Sequence, residues 1–293
     1  MNNRKRHVLL IAQRLFVENG FLSTSIQDIL EESQISKGTF YNYFSSKNEC
    51  LMAILDNGRD ETIIRRREIL IEQSLADKKI LADQISIRQQ VNRDYNLLPI
   101  FEAVFHSGDP DLSEFAKKHH LAELSWLTGR LVDVYGGQIK PYAPDCAILL
   151  MGMLQHMSHV LMARSTEDID STELVKFMMR RMDSIIPAVI QTKDQLLPET
   201  TFSTTGIIID HKTKKQLLSL LTDFAGTLPD EEKQRSSQYI EFIIDELSAE
   251  FPRTFLLETV TRSFREAFVN TPYETESEKL AACLWKYFDT LKK

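Results

Sequence analysis

The chain has 293 residues, of which 43% are hydrophobic and 26% are charged, and it carries a formal net charge of -7. This composition is typical of a folded globular protein and excludes a fibrous or wholly disordered chain, and the length allows two or three compact units. The sequence contains no run of 18 or more apolar residues, so we expect neither a membrane span nor a secretory signal.

Helical segments follow one another from the N-terminus. Apolar residues recur every three or four positions over residues 4–19, which predicts an amphipathic helix that ends at Gly20. Ser25 and Ser36 are typical N-caps. They predict a second helix to about Ser33 and a third, very short helix over residues 37–43, and a longer fourth helix is predicted to begin near Lys47.

Beyond about residue 60 the periodicity remains helical, with breaks predicted at 108–110, 136–137, 141–144 and 166–171. Residues 191–210 have the composition of a linker, although 207–209 are a candidate strand. We predict an all-α fold in which a three-helix helix-turn-helix domain precedes a helical bundle and a further helical C-terminal extension. The predicted domains are a DNA-binding domain at 1–47, a ligand-binding and dimerisation domain at 48–192, and the linker and extension at 193–293.

The short third helix has the chemistry of a DNA-reading helix. Phe40 and Phe44 are four residues apart, so both can anchor one face of it to the domain. Two short helices joined by a tight turn suit a major groove about 12 Å wide. Most of the outward positions carry side chains that can form hydrogen bonds to phosphates or base edges. The glycine among them allows the backbone to approach the DNA closely. These predicted DNA-binding residues are Lys37, Gly38, Thr39, Tyr41, Asn42 and Tyr43.

Three further residues are predicted to hold phosphates at the edges of this surface. Thr24 and Ser25 lie where the second helix begins, and backbone N–H groups exposed there can bind an anion. Lys47 can do the same at the start of the fourth helix. Residues 1–47 hold six basic and four acidic residues, so the rest of the chain is net acidic and DNA contact is expected at this end only. The alternative is a helical hairpin whose polar residues are merely solvated.

The same segments resemble the DNA-binding domain of the TetR family of bacterial repressors. The resemblance rests on the sequence from Ala12 to Phe21, on Ser25 to Ile29, and on Ser-Lys-Gly-Thr-Phe-Tyr-Asn-Tyr-Phe at 36–44 followed by Ser46-Lys47. It implies a homodimer on a palindromic operator of double-stranded DNA, and a following helical domain that binds a small molecule and thereby releases DNA. The family usually has small residues and a glycine around the turn, where this chain has Leu30, Ser33 and Gln34.

A pocket for such a molecule is expected in the middle of the chain. Aromatic and methionine side chains suit an apolar ligand, and the candidate residues are Phe101, Phe105, Trp126, Met153, His156 and Met157. The alternative is that these residues form the bundle core. His156 and His159 have a spacing that metal ligands sometimes show, but without a third ligand we expect neither a metal nor a cofactor.

The resemblance also places a dimer interface on the last two helices of the middle domain, at about 143–162 and 171–190. Both have apolar faces, which predicts an intermolecular four-helix bundle. The alternative is that the same faces form an intramolecular core.

Residues 196–293 lie beyond the resemblance. Their amphipathic helices need a partner for several aromatic residues, and we consider a separate domain, packing on the middle domain, or an added dimer contact. The buried aromatic residues are expected to be Phe224, Phe242, Phe255, Phe264, Trp285 and Phe288.

Three functional hypotheses follow. The first is a repressor released from its operator by a small, largely apolar molecule, and the second is a DNA-binding adaptor whose extension recruits a protein partner. The third is an enzyme. The sequence contains no glycine-rich phosphate loop, nucleophile elbow or complete set of metal ligands, so we expect no enzymatic activity. Cys50, Cys146 and Cys283 match no metal spacing and are typical of reduced thiols in a cytoplasmic protein.

Overall fold

The computed structural model describes residues 3–164, 171–202 and 213–291. Within these ranges all regular structure is helical, which confirms the predicted all-α fold. The candidate strand at 207–209 and most of the break at 166–171 lie outside the described residues. In the described part of the chain, no helix is long and apolar enough to cross a bilayer.

Thirteen α-helices and two 3-10 helices are present in those ranges. The α-helices are α1 (Asn3–Glu18), α2 (Ile26–Ser33), α3 (Lys37–Tyr43), α4 (Lys47–Glu68), α5 (Lys78–Asp94), α6 (Leu98–His106), α7 (Pro110–Tyr135), α8 (Ala143–Arg164), α9 (Ser171–Thr192), α10 (Lys214–Thr227), α11 (Asp230–Ser248), α12 (Thr254–Ala267) and α13 (Glu274–Leu291). The 3-10 helices are Gly137–Tyr142 and Glu199–Phe202.

The helices group into two compact units. The first takes Met1–Ile71, Tyr95–Ser107 and Ile209–Lys293, and the second takes Glu72–Asp94 and Gly108–Ile208. The first unit therefore contains α1–α4, α6 and α10–α13, and the second contains α5 and α7–α9. The division into 1–47, 48–192 and 193–293, which was drawn by expected function, stays a prediction.

In the first unit, α1 presents one apolar face to α2 and α4. The residues on that face are buried because they recur at helical spacing; they are Val8, Ala12, Leu15 and Phe16. Gly20 follows α1 with φ at +84°, a conformation that glycine adopts without the steric cost that a side chain would bring. The turn toward α2 begins there.

The C-terminal helices of the first unit pack against one another and against α4. Phe224, Phe264 and Phe268 form a cluster with ring centroids 5.2 to 5.8 Å apart. Trp285 and Phe288 of α13 are buried in the same core, as is Ile64 of α4. The extension therefore packs on α4, in the same compact unit as α1–α3.

Two aromatic residues of the extension depart from the expected burial. Phe255 is exposed and Phe242 is only half-buried. Phe255 lies in the first turn of α12. Phe251, which precedes the helix, is exposed as well. The prediction that Phe255 is a core residue was therefore wrong, because the apolar face of α12 passes through Leu257 and Phe264.

The second unit is a helical bundle around the apolar faces of α5, α7, α8 and α9. A buried cation, Arg130 of α7, is held by side chains and backbone of the same unit: its guanidinium donates to Gln84 Oε1 at 2.9 Å, to Leu75 O at 3.0 Å and to Asp133 Oδ2 at 2.7 Å. A buried charge needs such partners, since an unpaired one costs several kcal/mol.

Candidate nucleic-acid interface

The N-terminus of α2 is fixed by a reciprocal pair of hydrogen bonds. Asp28 N donates to Ser25 Oγ at 3.1 Å, and Ser25 N donates to Asp28 Oδ2 at 2.7 Å. The hydrogen bond from the Ser25 backbone N–H, followed by hydrogen bonding from the Ser25 side chain, lowers the pKa of the Asp28 carboxyl. The pair is a capping box: two backbone N–H groups, those of Ser25 and Asp28, each donate to a side-chain oxygen of the other residue. It defines where α2 begins.

Thr24 is held inside the domain. Its side chain is 1% exposed, and its hydroxyl donates to Gly20 O at 2.9 Å and to Leu15 O at 3.2 Å. Its backbone N–H donates to Gly20 O at 3.1 Å. The expectation that the N–H groups of Thr24 and Ser25 are exposed is therefore wrong, because both are already used within the domain. Of these two residues, the Ser25 side chain is the one that faces solvent.

Lys47 joins the start of α4 to the chain between α1 and α2. Its ammonium donates to Phe21 O and to Thr24 O, both at 2.8 Å, and lies 4.4 Å from the centroid of the Phe21 ring. Partial burial lowers the pKa of this ammonium. Lys47 thus supports the turn in front of α2.

The turn between α2 and α3 contains a non-glycine residue in the left-handed conformation. Gln34 has φ 53° and ψ 41°, and its N–H bonds back to the last turn of α2. Ile35 N then donates to Leu30 O at 3.2 Å. The turn closes without the glycine that the family resemblance would supply, at a cost on the order of 1 kcal/mol.

Two aromatic rings anchor α3. Phe40 is fully buried and Phe44 is 1% exposed, with ring centroids 5.5 Å apart, as their spacing predicted. Ser36 caps the helix, since its Oγ accepts from Thr39 N at 3.1 Å. The helix is therefore fixed along one side and at its N-terminus.

The opposite side, which we call the α3 outer face, consists of Lys37, Gly38, Tyr41 and Asn42, all exposed. Thr39 and Tyr43 are half-buried at its margins. The Thr39 hydroxyl lies 2.9 Å from Ser36 Oγ, so it is partly committed to the cap. The α3 outer face therefore carries an ammonium, an amide and a phenol group, on a helix whose opposite side is anchored by Phe40 and Phe44.

Sequence reasoning missed the residues that join α1 to this motif. Arg14 pairs with Glu32 of α2 and lies 3.5 Å from Glu18. The four-residue spacing from Arg14 to Glu18 was visible in the sequence, whereas the contact with Glu32 depends on how the helices cross. Lys5 lies 4.7 Å from the centroid of the Phe44 ring, behind the reading helix.

The predicted ligand residues are divided between the two units. Trp126, Met153 and Met157 are half-buried and pack against the core of the second unit, whereas His156 is exposed. Phe101 is half-buried in the first unit. Phe105 also belongs to that unit, but its side chain lies outside the described part.

His156 and His159 are both exposed on α8. In the part of the chain that the structure covers, no three His, Cys, Asp or Glu residues are arranged to hold a metal ion.

The helices predicted to form the dimer interface have both core and solvent faces. Their core residues pack within the second unit; these are Met151, Leu154, Leu174, Met178 and Met182. Apolar residues remain on the solvent side: Ile148 is 39% exposed, Leu149 47% and Phe177 40%. Most of the apolar residues expected at the interface therefore form the intramolecular core that was the alternative, and of the expected residues only Ile148 and Phe177 remain exposed.

Comparison with known proteins gives a consistent result for the N-terminal residues. The family model described as "Bacterial regulatory proteins, tetR family" matches residues 9–54, which include α2, α3 and the start of α4. A regulator from Lactococcus lactis subsp. lactis, described as an uncharacterized HTH-type transcriptional regulator in the lacX 3' region, is 30% identical over 190 residues. That match covers 59% of this chain and 89% of the relative.

Two Bacillus subtilis (strain 168) proteins are also similar, and both are described as uncharacterized HTH-type transcriptional regulators. YerO is 28% identical over 64% of this chain and 65% of its own length. YuxN is 24% identical over 67% of each chain. The chain thus spans about two thirds of the length of these two relatives. No solved structure matches.

Proposed function

The chain belongs to the TetR family of bacterial regulatory proteins, and from this premise we propose that it is a transcriptional repressor that binds a palindromic operator as a homodimer. The observation that carries the proposal is the α3 outer face. Lys37, Tyr41 and Asn42 are exposed on a seven-residue helix whose other side is fixed by Phe40 and Phe44. A helix that is held rigidly and projects polar groups can read base edges in a major groove.

Within the proposed interface the side chains have different tasks. Lys37 contacts a phosphate or a guanine, and Asn42 and Thr39 contact base edges. Tyr41 and Tyr43 donate hydrogen bonds to phosphates. Gly38 has no Cβ, which allows the backbone of α3 to approach the DNA.

Phosphate contacts at the edge of this interface are proposed for a second group of residues. The exposed hydroxyl of Ser25 can donate to a phosphate while its lone pair accepts from Asp28 N. Thr24 and Lys47 contribute mainly by holding the turn in front of α2, because their polar groups bond within the domain. Lys47 has a third N–H with which it can reach a phosphate.

The proposed dimer uses the solvent-facing apolar residues of α8 and α9. Ile148, Leu149 and Phe177 are large side chains that a second copy can cover in a four-helix arrangement. Two recognition helices related by a two-fold axis reach half-sites about 34 Å apart, one turn of DNA. A palindromic operator follows from that symmetry.

The proposed effector is a small, largely apolar molecule that binds the second unit near Trp126, Met153 and Met157. These side chains are half-buried on one core and are apolar or polarisable, which suits such a ligand. Release of DNA requires the molecule to bind the non-operator conformation more tightly, since a ligand with equal affinity for both shifts nothing.

One observation favours the adaptor as a second candidate. Phe251 is 83% exposed and Phe255 is 55% exposed on the C-terminal extension. Exposed aromatic residues are common at protein–protein interfaces. Recruitment of a protein partner through this part of the extension would operate without a small-molecule effector.

The proposed function is tested with a mobility-shift assay on the DNA upstream of the chain's own gene, with a scrambled duplex of the same length as control. Preferential binding of the upstream DNA supports the proposal, and equal binding of both duplexes contradicts it. A panel of apolar molecules added to the same complex tests release.

The dimer is tested separately by light scattering after size-exclusion chromatography. We expect the wild type at the dimer mass and the Ile148→Asp/Phe177→Asp double variant at the monomer mass. A monomeric wild type would contradict the homodimer.

A further inference from the structure

The first part of the predicted linker is held against the second unit. Residues 193–202, which we call the strap, follow α9 directly. The 3-10 helix Glu199–Phe202 at the end of the strap contacts α7, α8 and the 3-10 helix Gly137–Tyr142. All of these elements belong to the second unit. A segment with the composition of a linker therefore has a defined place on that unit.

One carboxylate anchors the start of the strap. Asp145, in the first turn of α8, accepts hydrogen bonds at Oδ2 from the backbone N–H groups of Leu196 at 2.8 Å and of Leu197 at 3.3 Å. The Gln195 side chain donates to Pro141 O at 3.0 Å. Hydrogen bonds to a carboxylate are stronger than those between neutral groups, so Asp145 fixes this end of the strap.

The other end of the strap is held through Phe202. Its carbonyl oxygen accepts a hydrogen bond from Ser125 Oγ of α7 at 3.3 Å. Its side chain is half-buried and packs against the core of the second unit, as do Trp126 and Met153. Ser125 immediately precedes Trp126 in the chain. Phe202 therefore lies at the part of α7 that carries one of the proposed effector residues.

Helix geometry places a second effector residue at the same level. α7 and α8 pack against each other and are joined by a short 3-10 helix, so they form a helical hairpin. Ser125 lies about ten residues before the end of α7, and Met153 about ten residues after the start of α8. Each is thus about 15 Å from the connection along its helix. Phe202, Trp126 and Met153 share one level of the hairpin.

We propose that Phe202 occupies part of the effector site, and that an effector with an aromatic ring binds beside Trp126 by displacing the Phe202 side chain. This inference rests on the proposed effector site in the second unit, and it adds the class of ligand and the group that closes the site. A phenyl ring already packs on this core, so the surface accepts an aromatic group. The same surface cannot hold the ring of Phe202 and the ring of a ligand together.

Competition with Phe202 determines the sign of the expected effects. A ligand that binds only the state with the strap released has an apparent affinity reduced by the fraction of molecules in that state. Any substitution that weakens the strap raises this fraction. Such a variant should therefore bind an aromatic ligand more tightly than the wild type does.

The test is a fluorescence titration of the full chain with N-phenyl-1-naphthylamine, a neutral aromatic probe that emits more strongly in apolar surroundings. Phe202→Ala removes the competing ring, and Asp145→Ala removes the acceptor that anchors the strap. Each should bind the probe about fivefold or more tightly than the wild type. Tighter binding by Phe202→Ala alone would overturn the proposal, because the probe would then fill the space of the missing ring without displacing the strap.

Two matched controls accompany these variants. Leu196→Ala changes a strap residue whose side chain is 87% exposed. Asp111→Ala removes an exposed carboxylate from the first turn of α7, as Asp145→Ala does from the first turn of α8. Both controls should bind the probe as the wild type does. Asp145→Ala retains the Phe202 ring in the chain and decides the question if Phe202→Ala fails to fold.

The emission of Trp126 separates failure of this inference from failure of the effector site. The chain has two tryptophans, so Trp285→Phe, which keeps an aromatic ring in the core, leaves Trp126 as the only one. In that background, equal probe affinity in all proteins with quenching of Trp126 would overturn the role of Phe202 and leave the effector site in place. No probe binding, or binding without a change in Trp126 emission, would contradict both.

Discussion

Arg265 of α12 and Glu68 at the end of α4 are joined by two parallel hydrogen bonds. Arg265 Nε donates to Glu68 Oε1 at 2.7 Å, and Nη2 donates to Oε2 at 2.8 Å. Both side chains are more than four-fifths buried. The pair ties the C-terminal extension to the helix that follows the DNA-reading motif, within one compact unit.

Loss of this pair should destabilise the first unit. Burial already raises the pKa of Glu68, and Arg265 opposes that rise. Arg265→Ala leaves a partly buried carboxyl without its cation, so we expect the free energy of unfolding to fall by about 2 kcal/mol. Lys176→Ala removes an exposed ion pair and should cost about 0.5 kcal/mol or less. Urea denaturation of both variants checks this, and equal small losses would contradict it.

A substitution at Gly38 should change the stability of the chain and its DNA affinity in opposite directions. A Cβ built there would meet only Ser36 Oγ, at 3.8 Å, so the free protein has room for alanine. Gly38→Ala should raise the free energy of unfolding by about 0.5–1 kcal/mol because alanine favours helix, yet it should weaken operator binding.

Gly129→Ala, an exposed position in α7 with open space, is the control for the Gly38 variant. It should give the same stabilisation and leave DNA affinity unchanged. Thermal melts and operator titrations measure the two effects. A Gly38→Ala protein with full operator affinity would show that the backbone of α3 does not approach DNA closely.

Replacing Gln34 with glycine should stabilise the folded chain. Its φ of 53° lies in the left-handed region, where a side chain costs on the order of 1 kcal/mol. Gln34→Gly is therefore expected to raise the free energy of unfolding by about 1 kcal/mol, whereas Gln34→Ala should change it little. Chemical denaturation gives both values, and destabilisation by glycine would show that the Gln34 side chain makes a compensating contact.

The Glu278 carboxyl should make the stability of the chain depend on pH. Its pKa is about 7 in the folded chain and 4.5 as the ordinary value, so the folded state binds the extra proton between these values. Stability from this group is present at low pH and is lost as the pH rises from about 4.5 to 7.

Comparison with Glu278→Gln isolates that contribution. Across this range the wild type should lose about 1–2 kcal/mol relative to the variant, less than the full pKa difference implies, because the carboxyl is still partly exposed to water. Denaturation midpoints at pH 5 and pH 7.5 measure it. A constant difference between the two proteins would contradict the raised pKa.

The elements of the reading motif could be predicted because they depend on local chemistry. Ser25 and Ser36 cap helices through bonds to residues three positions away, and Phe40 and Phe44 share a face through their four-residue spacing. The exposure of Lys37 follows from the same periodicity. Such features need no knowledge of how distant segments pack.

Contacts between distant segments could not be predicted in this way. Thr24 appeared exposed at a helix start, but the turn after α1 directs its hydroxyl onto Leu15 O and Gly20 O. Arg265 and Glu68 are 197 residues apart, and nothing in either local sequence selects the other. The packing of α13 against α4 likewise joins segments that are far apart in the sequence.

The central claim is that the α3 outer face reads DNA, and fluorescence anisotropy with a labelled duplex from upstream of the gene tests it most directly. Lys37→Ala and Tyr41→Ala should each weaken binding by about tenfold or more, and Lys37→Ala should reduce the salt slope by about 1. Lys117→Ala, an exposed lysine of α7, should bind as the wild type does. Unchanged affinity in both the Lys37 and Tyr41 variants, with their folding intact, would contradict the claim.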